Sequence, residues 1–258
     1  MGMRVLYQNL IDLSGVTISA SSEGSDLPAS NVAHPFRSRV WRTGTSITDE
    51  WVKFNLGSAM ALQSVVLLDH DLTGDDTLIR LQGNSSDSWD APSVSESLTF
   101  HSDVIKHYLS TVQTYQWWRV TFRKSSAGET RDIGRIYLGP YQEFARGPAK
   151  PGGLRITPTD LSKTYRALGG ETYSEIKSMY DLIEIDIPLC PDEQIDQMKA
   201  LAAACGVHTP LFVDIDPALK PYDLFYYCKA ESIKPRKVEI WGSDKIRWGA
   251  AMRFAEEL

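Results

Sequence analysis

Four aspartates and a histidine lie close together in the first half of the sequence and raise the question of metal binding. They are Asp69, His70, Asp71, Asp75 and Asp76. Ca²⁺ prefers carboxylate oxygens, so the residue types suit a calcium site. The spacing does not match an EF-hand loop, which needs ligands at alternate positions and a glutamate at the twelfth. The pattern is more typical of a solvated turn between two strands, and we predict neither a metal ion nor another cofactor.

The histidines and cysteines form no recognisable catalytic or zinc-binding pattern. Cys190, Cys205 and Cys228 are odd in number and widely spaced, which favours buried free thiols in a reducing compartment over a disulfide framework. Cys205 and His208 have Cys-x-x-His spacing, but no second pair accompanies them. No HExxH, GxSxG or P-loop pattern occurs. We therefore predict that the protein is not an enzyme; the competing class is a carbohydrate-active accessory module or hydrolase.

A short basic stretch contains three arginines, Arg37, Arg39 and Arg42. They alternate as they would on one side of an extended segment. A solvated surface explains this pattern, and so does a subunit contact, because arginine forms bidentate pairs with carboxylates at interfaces. We take these three residues as interface candidates, facing carboxylates of a neighbouring chain.

Tryptophans are the other residues with binding potential. Trp89 lies in a polar loop and is a candidate anchor for a ligand or partner, as is Trp41 beside the basic stretch. Trp51 lies in an apolar alternation and is predicted to be in the core. Trp117 and Trp118 are adjacent in a strand, so they must point to opposite faces, and we expect one of them in the core.

The elements that position these residues are short strands. From Trp51 to Leu56 large apolar residues alternate with polar ones and end at Gly57, which predicts a half-buried strand. Turn-forming residues separate further apolar runs throughout the first half. Two prolines and three glycines between Arg146 and Gly153 predict a linker at 147–153. The predicted domains are therefore 1–146 and 154–258.

The second half is predicted to be rich in strands, with one helix at about 191–205. Pro191 and the acidic residues after it suit the first turn of a helix. One apolar face follows at spacings of three and four, and Gly206 provides a left-handed end.

Composition excludes several partners. The net charge is −6 and the pI about 5.4, whereas binding to nucleic acid phosphates requires a basic surface. No apolar run approaches the roughly 20 residues that span a bilayer, so no membrane insertion is expected.

Several segments, taken in order, resemble the discoidin family (coagulation factor 5/8 type C, galactose-binding-like). They are Ile18-Ser19-Ala20-Ser21-Ser22, Asn31, Trp41-Arg42-Thr43, Trp51–Gly57, Val65–Leu68, Ile79–Asn84, Trp117–Phe122 and Asp132–Gly139. The resemblance covers roughly residues 15 to 140. It implies a mainly β chain: an N-terminal jelly-roll β-sandwich, followed by a smaller β-rich domain with one helix. Calcium-binding members have Asp-Gly shortly after the Asn, whereas His34-Pro35 stands here.

The second half contains a helix that begins Pro191-Asp192-Glu193 and continues with Ile195 and Met198, then Pro210-Leu211-Phe212-Val213-Asp214, an aromatic strand, and Phe254-Ala255-Glu256-Glu257 near its end. This layout resembles small structural proteins of tailed-phage tails. That resemblance implies a non-enzymatic subunit of a phage tail tip or baseplate, assembled in the host cytoplasm into the virion tail. Its partners would be other tail proteins and further copies of itself in a homo-oligomeric ring. The alternative is a receptor- or carbohydrate-binding module that contacts a host-surface glycan with loops near Trp89 and residues 34–42.

Overall fold

A computed structural model describes residues 2–144, 147–148, 152–239 and 246–258. The chain forms two compact units. We call Gln8–Tyr141 the sandwich unit, and Met1–Tyr7 together with Gln142–Leu258 the split unit. The split unit contains the first strand, β1 (Met3–Leu6), and the sandwich unit is inserted after it.

The sandwich unit is built from eight antiparallel strands and two short 3-10 helices, Leu10–Asp12 and Ala29–Ala33. The strands are β2 (Thr17–Ala20), β3 (Trp41–Arg42), β4 (Asp49–Leu68), β5 (Thr77–Asn84), β6 (Val94–Ser97), β7 (Val104–Arg123), β8 (Asp132–Ile133) and β9 (Ile136–Gly139). The main sheet has the order β2-β4-β7-β5-β6, with β9 paired to β4, while β3 and β8 form a separate pair.

Two long strands, β4 and β7, contribute to both layers of the sandwich. Their pairing is interrupted between Asn55 and Met60 and again between Leu62 and Ser64. Before the interruptions β4 also pairs with β2, and after them it pairs with β9. Buried side chains from both ends, including Phe54 and Leu67, join one hydrophobic core. Because side chains alternate between the two sides of each strand, each layer of the sandwich has one apolar side, which faces the core.

A buried ion pair crosslinks the end of this sandwich. Lys124 Nζ lies 2.9 Å from Glu50 Oε1, and both side chains are wholly shielded from solvent. Lys124 also donates to the carbonyl oxygens of Gly44 (2.6 Å) and Glu129 (2.9 Å). Glu50 Oε2 accepts hydrogen bonds from the hydroxyls of Ser21 and Ser22. The charges are therefore compensated, and several chain segments are held at one point.

After β1, the strands of the split unit's main sheet are β10 (Gln142–Phe144), β11 (Leu154–Asp160), β14 (Met179–Cys190), β15 (Pro210–Asp214), β16 (Phe225–Glu239) and β17 (Ile246–Glu256). With β1 they form a seven-stranded sheet of order β10-β1-β15-β16-β17-β14-β11. A hairpin of β12 (Lys163–Arg166) and β13 (Thr172–Glu175) is separate from this sheet. Helix α1 (Asp192–Cys205) buries Ile195, Met198 and Leu201 in the unit's core.

The predicted domain boundaries need correction, because the structure does not assign 1–146 to one domain. Strand β1 pairs with both β10 and β15, and so lies inside the sheet of the second unit. Met3 is opposite Phe144 in an antiparallel register, so the chain leaves the sheet after β1 and re-enters it beside β1. Of the predicted linker 147–153, residues 149–151 lie outside the described residues.

The predicted fold class is confirmed: the chain is mainly β, with a β-sandwich and a second β-rich unit. The predicted helix is also present, over Asp192–Cys205, and Gly206 follows it with a φ of 54°. Among the described residues, no helix is long and apolar enough to cross a membrane.

The prediction of buried free thiols is confirmed as well. Cys190, Cys205 and Cys228 form no disulfide among the described residues, and all three lie in the core of the split unit. Burial raises the pKa of Cys205 to about 11 and that of Cys228 well above its ordinary value. Since the thiolate is the reactive form, native protein at about pH 8 should react with Ellman's reagent far more slowly than a free thiol.

The control for this prediction is the same titration in denaturant, where all three cysteines should react at once. Rapid reaction of even one thiol in the native protein would contradict the described packing.

Candidate functional site

The side chains opposite the core in the β4, β5 and β7 segments form a polar and aromatic surface, which we call the outer face. Its rows follow from the strand register: Trp51–Thr121–Arg80, then Lys53–Arg119–Gln82, then Asn55–Trp117–Asn84. The intervening residues, among them Val52, Phe54, Trp118 and Val120, are buried in the core. The outer face therefore presents a fixed array of side chains on the strands of a sheet.

The prediction that Trp51 lies in the core is wrong. Val52, Phe54 and Leu56 are the buried series, and Trp51 is out of phase with them. Glu50 points to the same side of β4 as this buried series. Its burial is tolerated because Lys124 compensates its charge. Of the adjacent tryptophans, Trp118 is buried and Trp117 lies on the outer face, as alternation requires.

Lys53 is held between two indoles of the outer face. Its Nζ lies 5.2 Å from the ring centre of Trp51 and 5.4 Å from that of Trp117. The same ammonium donates to Asp87 Oδ2 at 2.7 Å, and this hydrogen bond holds the pKa of Asp87 below its usual range. Cation–π contact and the ion pair together restrict the orientation of the two rings.

Trp89 reaches the outer face from the loop after β5. Its Nε1 donates to Asp87 Oδ1 at 2.7 Å, and the guanidinium of Arg119 lies 4.4 Å above its ring centre. Asn84 supports the loop by donating to the Ser88 carbonyl (2.7 Å) and accepting from Ser93 Oγ (3.0 Å). Trp89, predicted as an exposed anchor, is therefore half-buried and fixed against the sheet.

A shallow depression of about 340 Å³ opens on the outer face. Trp51, Arg80, Gln82, Arg119 and Thr121 contribute to its lining. This volume lies near the lower end of small-ligand sites, which span roughly 300–1,000 Å³. An indole offers an apolar surface, while guanidinium, amide and hydroxyl groups offer donors and acceptors around it. Such an arrangement can pack one apolar face of a ring and hydrogen-bond its polar rim.

The sequence did not single out Arg80, Gln82, Arg119 or Thr121. The available signal was alternation: once Trp118 and Val120 are assigned to the core, Arg119 and Thr121 must lie on the opposite face. Arg80 and Gln82 then follow only from the pairing of β5 with β7, which is a long-range register.

The proposal that Trp41 is a ligand anchor is contradicted by its burial. Trp41 is completely inaccessible in β3 and meets Phe122 edge to face, with ring centres 6.1 Å apart. Its Nε1 donates to the Ser22 carbonyl at 3.0 Å. Because its polar group is satisfied and its ring is packed, Trp41 is a core residue.

Two of the three predicted interface arginines are paired within their own chain. Arg37 makes a bidentate pair with Asp69 (2.8 and 2.6 Å), and Arg42 makes one with Asp132 (2.7 and 2.6 Å). Arg39 is exposed and, within the described part of the chain, has no carboxylate within the 4.0 Å of an ion pair. The stretch is therefore not a run of three available cations.

The aspartate cluster is not a uniformly solvated turn, so that interpretation needs correction. Asp76 is buried and receives two hydrogen bonds from Arg131, at 2.6 and 3.1 Å. Asp69 pairs with Arg37, and Asp71 Oδ1 accepts from the backbone N–H of Asp132 at 2.6 Å. Across the described residues no group of three or more His, Cys, Asp or Glu is arranged to hold a metal ion. These carboxylates instead form ion pairs and hydrogen bonds that link separate loops.

His70 should make the stability of the sandwich unit depend on pH. Burial lowers the pKa of its imidazole, and the carboxylates of Asp69 and Asp103 offset this only in part. The unfolded chain therefore binds a proton more readily than the folded one, so stability should fall as pH drops below about 6.5. His70→Gln should reduce that loss, as measured by urea unfolding at about pH 5.5 and 7.5.

Tryptophan fluorescence suits this measurement, because five of the seven tryptophans lie in the sandwich unit. At the higher pH residue 70 is uncharged in both proteins, so the difference there reports packing alone. An unchanged pH slope in the variant would show that His70 is not responsible.

Comparison with known proteins gives similarities of structure only. No protein-family profile and no curated protein sequence matches the chain. Among solved structures, a chitosan-binding module of a Paenibacillus chitosanase/glucanase is 19% identical, with a TM-score of 0.41, covering 51% of this chain and 98% of that one. The family 32 carbohydrate-binding module of Clostridium perfringens NanJ, in complex with galactose, is 15% identical with a TM-score of 0.40, covering 54% and 99%.

A Ruminococcus gnavus GH29 fucosidase in complex with fucose is 13% identical, with a TM-score of 0.43 over 52% of this chain. This chain spans only 27% of the length of that enzyme. The function of this chain therefore has to be inferred from its own outer face.

Proposed function

We propose that the sandwich unit is a non-catalytic saccharide-binding module and that the outer face is its binding surface. One observation carries this proposal: the half-buried indole of Trp51 borders a depression of about 340 Å³ that is otherwise lined largely by polar side chains. A pyranose ring has an apolar C–H face and a rim of hydroxyl groups. The indole matches the first, and Arg80, Arg119 and Thr121 match the second.

The fixed geometry of the outer face favours binding. Lys53 restrains the ring of Trp51, and Arg119 is held by Gln82, whose Oε1 accepts from its Nε at 2.6 Å. Side chains that are ordered before the ligand arrives lose less entropy when it binds. This proposal moves the binding surface from the loops near Trp89 and residues 34–42, which the sequence favoured, to the sheet face against which Trp89 packs.

The test is a screen of the full chain on a glycan array, followed by titration of each hit by calorimetry. We expect at least one class of oligosaccharide to bind, and the bound saccharide to be recovered intact by mass spectrometry. Absence of binding at millimolar saccharide would refute the binding function, and cleavage of the saccharide would refute the non-catalytic part.

We propose as a second function that the split unit is an assembly module, in a phage tail tip or baseplate. The supporting observation is the β12–β13 hairpin, which exposes Tyr165, Leu168, Tyr173 and Ile176. A two-stranded hairpin is marginally stable alone, and apolar side chains at its surface favour contact with another chain. The partners would be tail proteins or further copies in a ring, assembled in the host cytoplasm.

This assembly function can be tested with Leu168→Ser and Ile176→Ser together, since both side chains are exposed. The variant should fold normally but fail to enter particles, as judged by immunogold labelling and electron microscopy. Arg39→Glu tests the remaining candidate of the basic stretch in the same assay. Normal particles containing the hairpin variant would refute the role of the hairpin.

A further inference from the structure

The charges on and beneath the outer face are unevenly matched. Each of three carboxylates already has a cation of its own: Asp49 with Arg123 (2.5 Å), Glu50 with Lys124 (2.9 Å) and Asp87 with Lys53 (2.7 Å). Two guanidinium groups at the depression, those of Arg80 and Arg119, have no carboxylate within 4.0 Å in the described part of the chain. Arg80 and Arg119 are therefore the cations of the outer face that have no carboxylate partner among the described residues, and both lie at the depression.

Of these two guanidinium groups, that of Arg80 has fewer interaction partners. It is half-buried, it lies opposite Thr121 in the sheet, and its Nε is inaccessible to solvent without a hydrogen-bond partner. Arg119, in contrast, donates to Gln82 and lies over the ring of Trp89. Burial lowers the pKa of Arg119, as expected for a partly desolvated cation. A partly buried cation with no carboxylate beside it is unfavourable, and an anionic group on a ligand at the depression would compensate its charge.

We infer that the saccharide bound at this depression carries a carboxylate, as uronic and sialic acids do. A carboxylate matches the planar fork of a guanidinium and forms two parallel hydrogen bonds with it. The carboxylate pairs with Arg80, while the sugar ring packs on Trp51. Asp49 and Glu50 also lie at the depression, but their own ion pairs compensate their charges. This inference rests on the proposed saccharide-binding function and specifies its ligand.

The experiment compares matched ligands that differ only in charge. Trigalacturonic acid and its methyl ester share one backbone, and sialyllactose is compared with lactose to distinguish uronic from sialic acids. Calorimetric titration of the full chain should show at least about tenfold tighter binding of one acid than of its neutral counterpart. That preference should weaken as sodium chloride is added, because salt screens the interaction.

The variant Arg80→Gln should lose the preference for the acid while keeping the weaker affinity for the neutral ligand. Arg39→Gln is the matched control, because Arg39 is exposed, likewise has no carboxylate within 4.0 Å among the described residues, and does not line the depression. Equal binding of acid and neutral ligand by the native chain would overturn the inference yet leave saccharide binding standing. No binding of any saccharide would overturn the proposed function itself. If Arg80→Gln does not fold, the comparison of acid and neutral ligands on the native chain still tests the inference.

Discussion

Replacing Lys124 with methionine is expected to lower the free energy of unfolding of the sandwich unit by about 3–5 kcal/mol. The substitution leaves the Glu50 carboxylate without its cation in a place that water does not reach. It also removes the donor for the carbonyl oxygens of Gly44 and Glu129. Urea unfolding followed by tryptophan fluorescence measures the change.

Arg123→Met is the matched control for this prediction. Arg123, the last residue of β7, precedes Lys124 in the chain and also pairs with a carboxylate, that of Asp49, but the pair is exposed. Exposed pairs contribute up to about 1 kcal/mol, so the control should be nearly neutral. The double variant Lys124→Met with Glu50→Gln should recover part of the loss, since no buried charge is then left unpaired. Equal effects of Lys124→Met and Arg123→Met would show that burial of the pair is unimportant.

Replacing Trp51 with alanine is expected to weaken saccharide binding by at least about tenfold, because truncation of a central aromatic side chain commonly costs about 2 kcal/mol or more. The half-buried ring packs on the outer face and not in the core, so the unfolding midpoint should change little. Calorimetric titration with the best ligand from the array measures the loss.

Tyr173→Ala serves as the control, since Tyr173 is an exposed aromatic residue on the hairpin of the split unit. Its affinity for saccharide should equal that of the native chain. If Trp51→Ala binds as tightly as Tyr173→Ala, the indole does not take part in binding.

Local patterns predicted much of the secondary structure. The alternation at residues 51–56 lies within β4, and the apolar face of residues 195–201 lies within the helix Asp192–Cys205. Both patterns depend only on neighbouring residues, whose side chains repeat with the period of the element. The odd number of cysteines similarly predicted buried thiols that form no disulfide.

Which side chains of β4 face the core could not be predicted from the residues of β4 alone. Trp51 and Val52 are both apolar, and a buried charge at Glu50 reverses the usual assignment of faces. The compensating charge, Lys124, lies 74 residues further along the chain. The orientation of Trp51, and hence the outer face itself, depends on that distant pair.

The insertion of one unit into the other was equally inaccessible to local patterns. Strand β1 has only four residues, and its partners β10 and β15 lie far along the chain. Neither hydrophobic periodicity nor turn composition reports such long-range pairing. The burial of Trp41 follows from contacts of the same kind, since Ser22 and Phe122 come from distant segments.

Saccharide binding at the outer face is tested most directly by NMR of the tryptophan indole N–H groups during titration with an oligosaccharide. The five indoles of the sandwich unit sample distinct places: Trp51, Trp89 and Trp117 lie on the outer face, whereas Trp41 and Trp118 are buried in the core. We expect the Trp51 resonance to shift most and those of Trp41 and Trp118 to stay in place. Saturable binding that perturbs backbone resonances of residues 34–42 and leaves Trp51 unchanged would contradict the outer face as the binding surface.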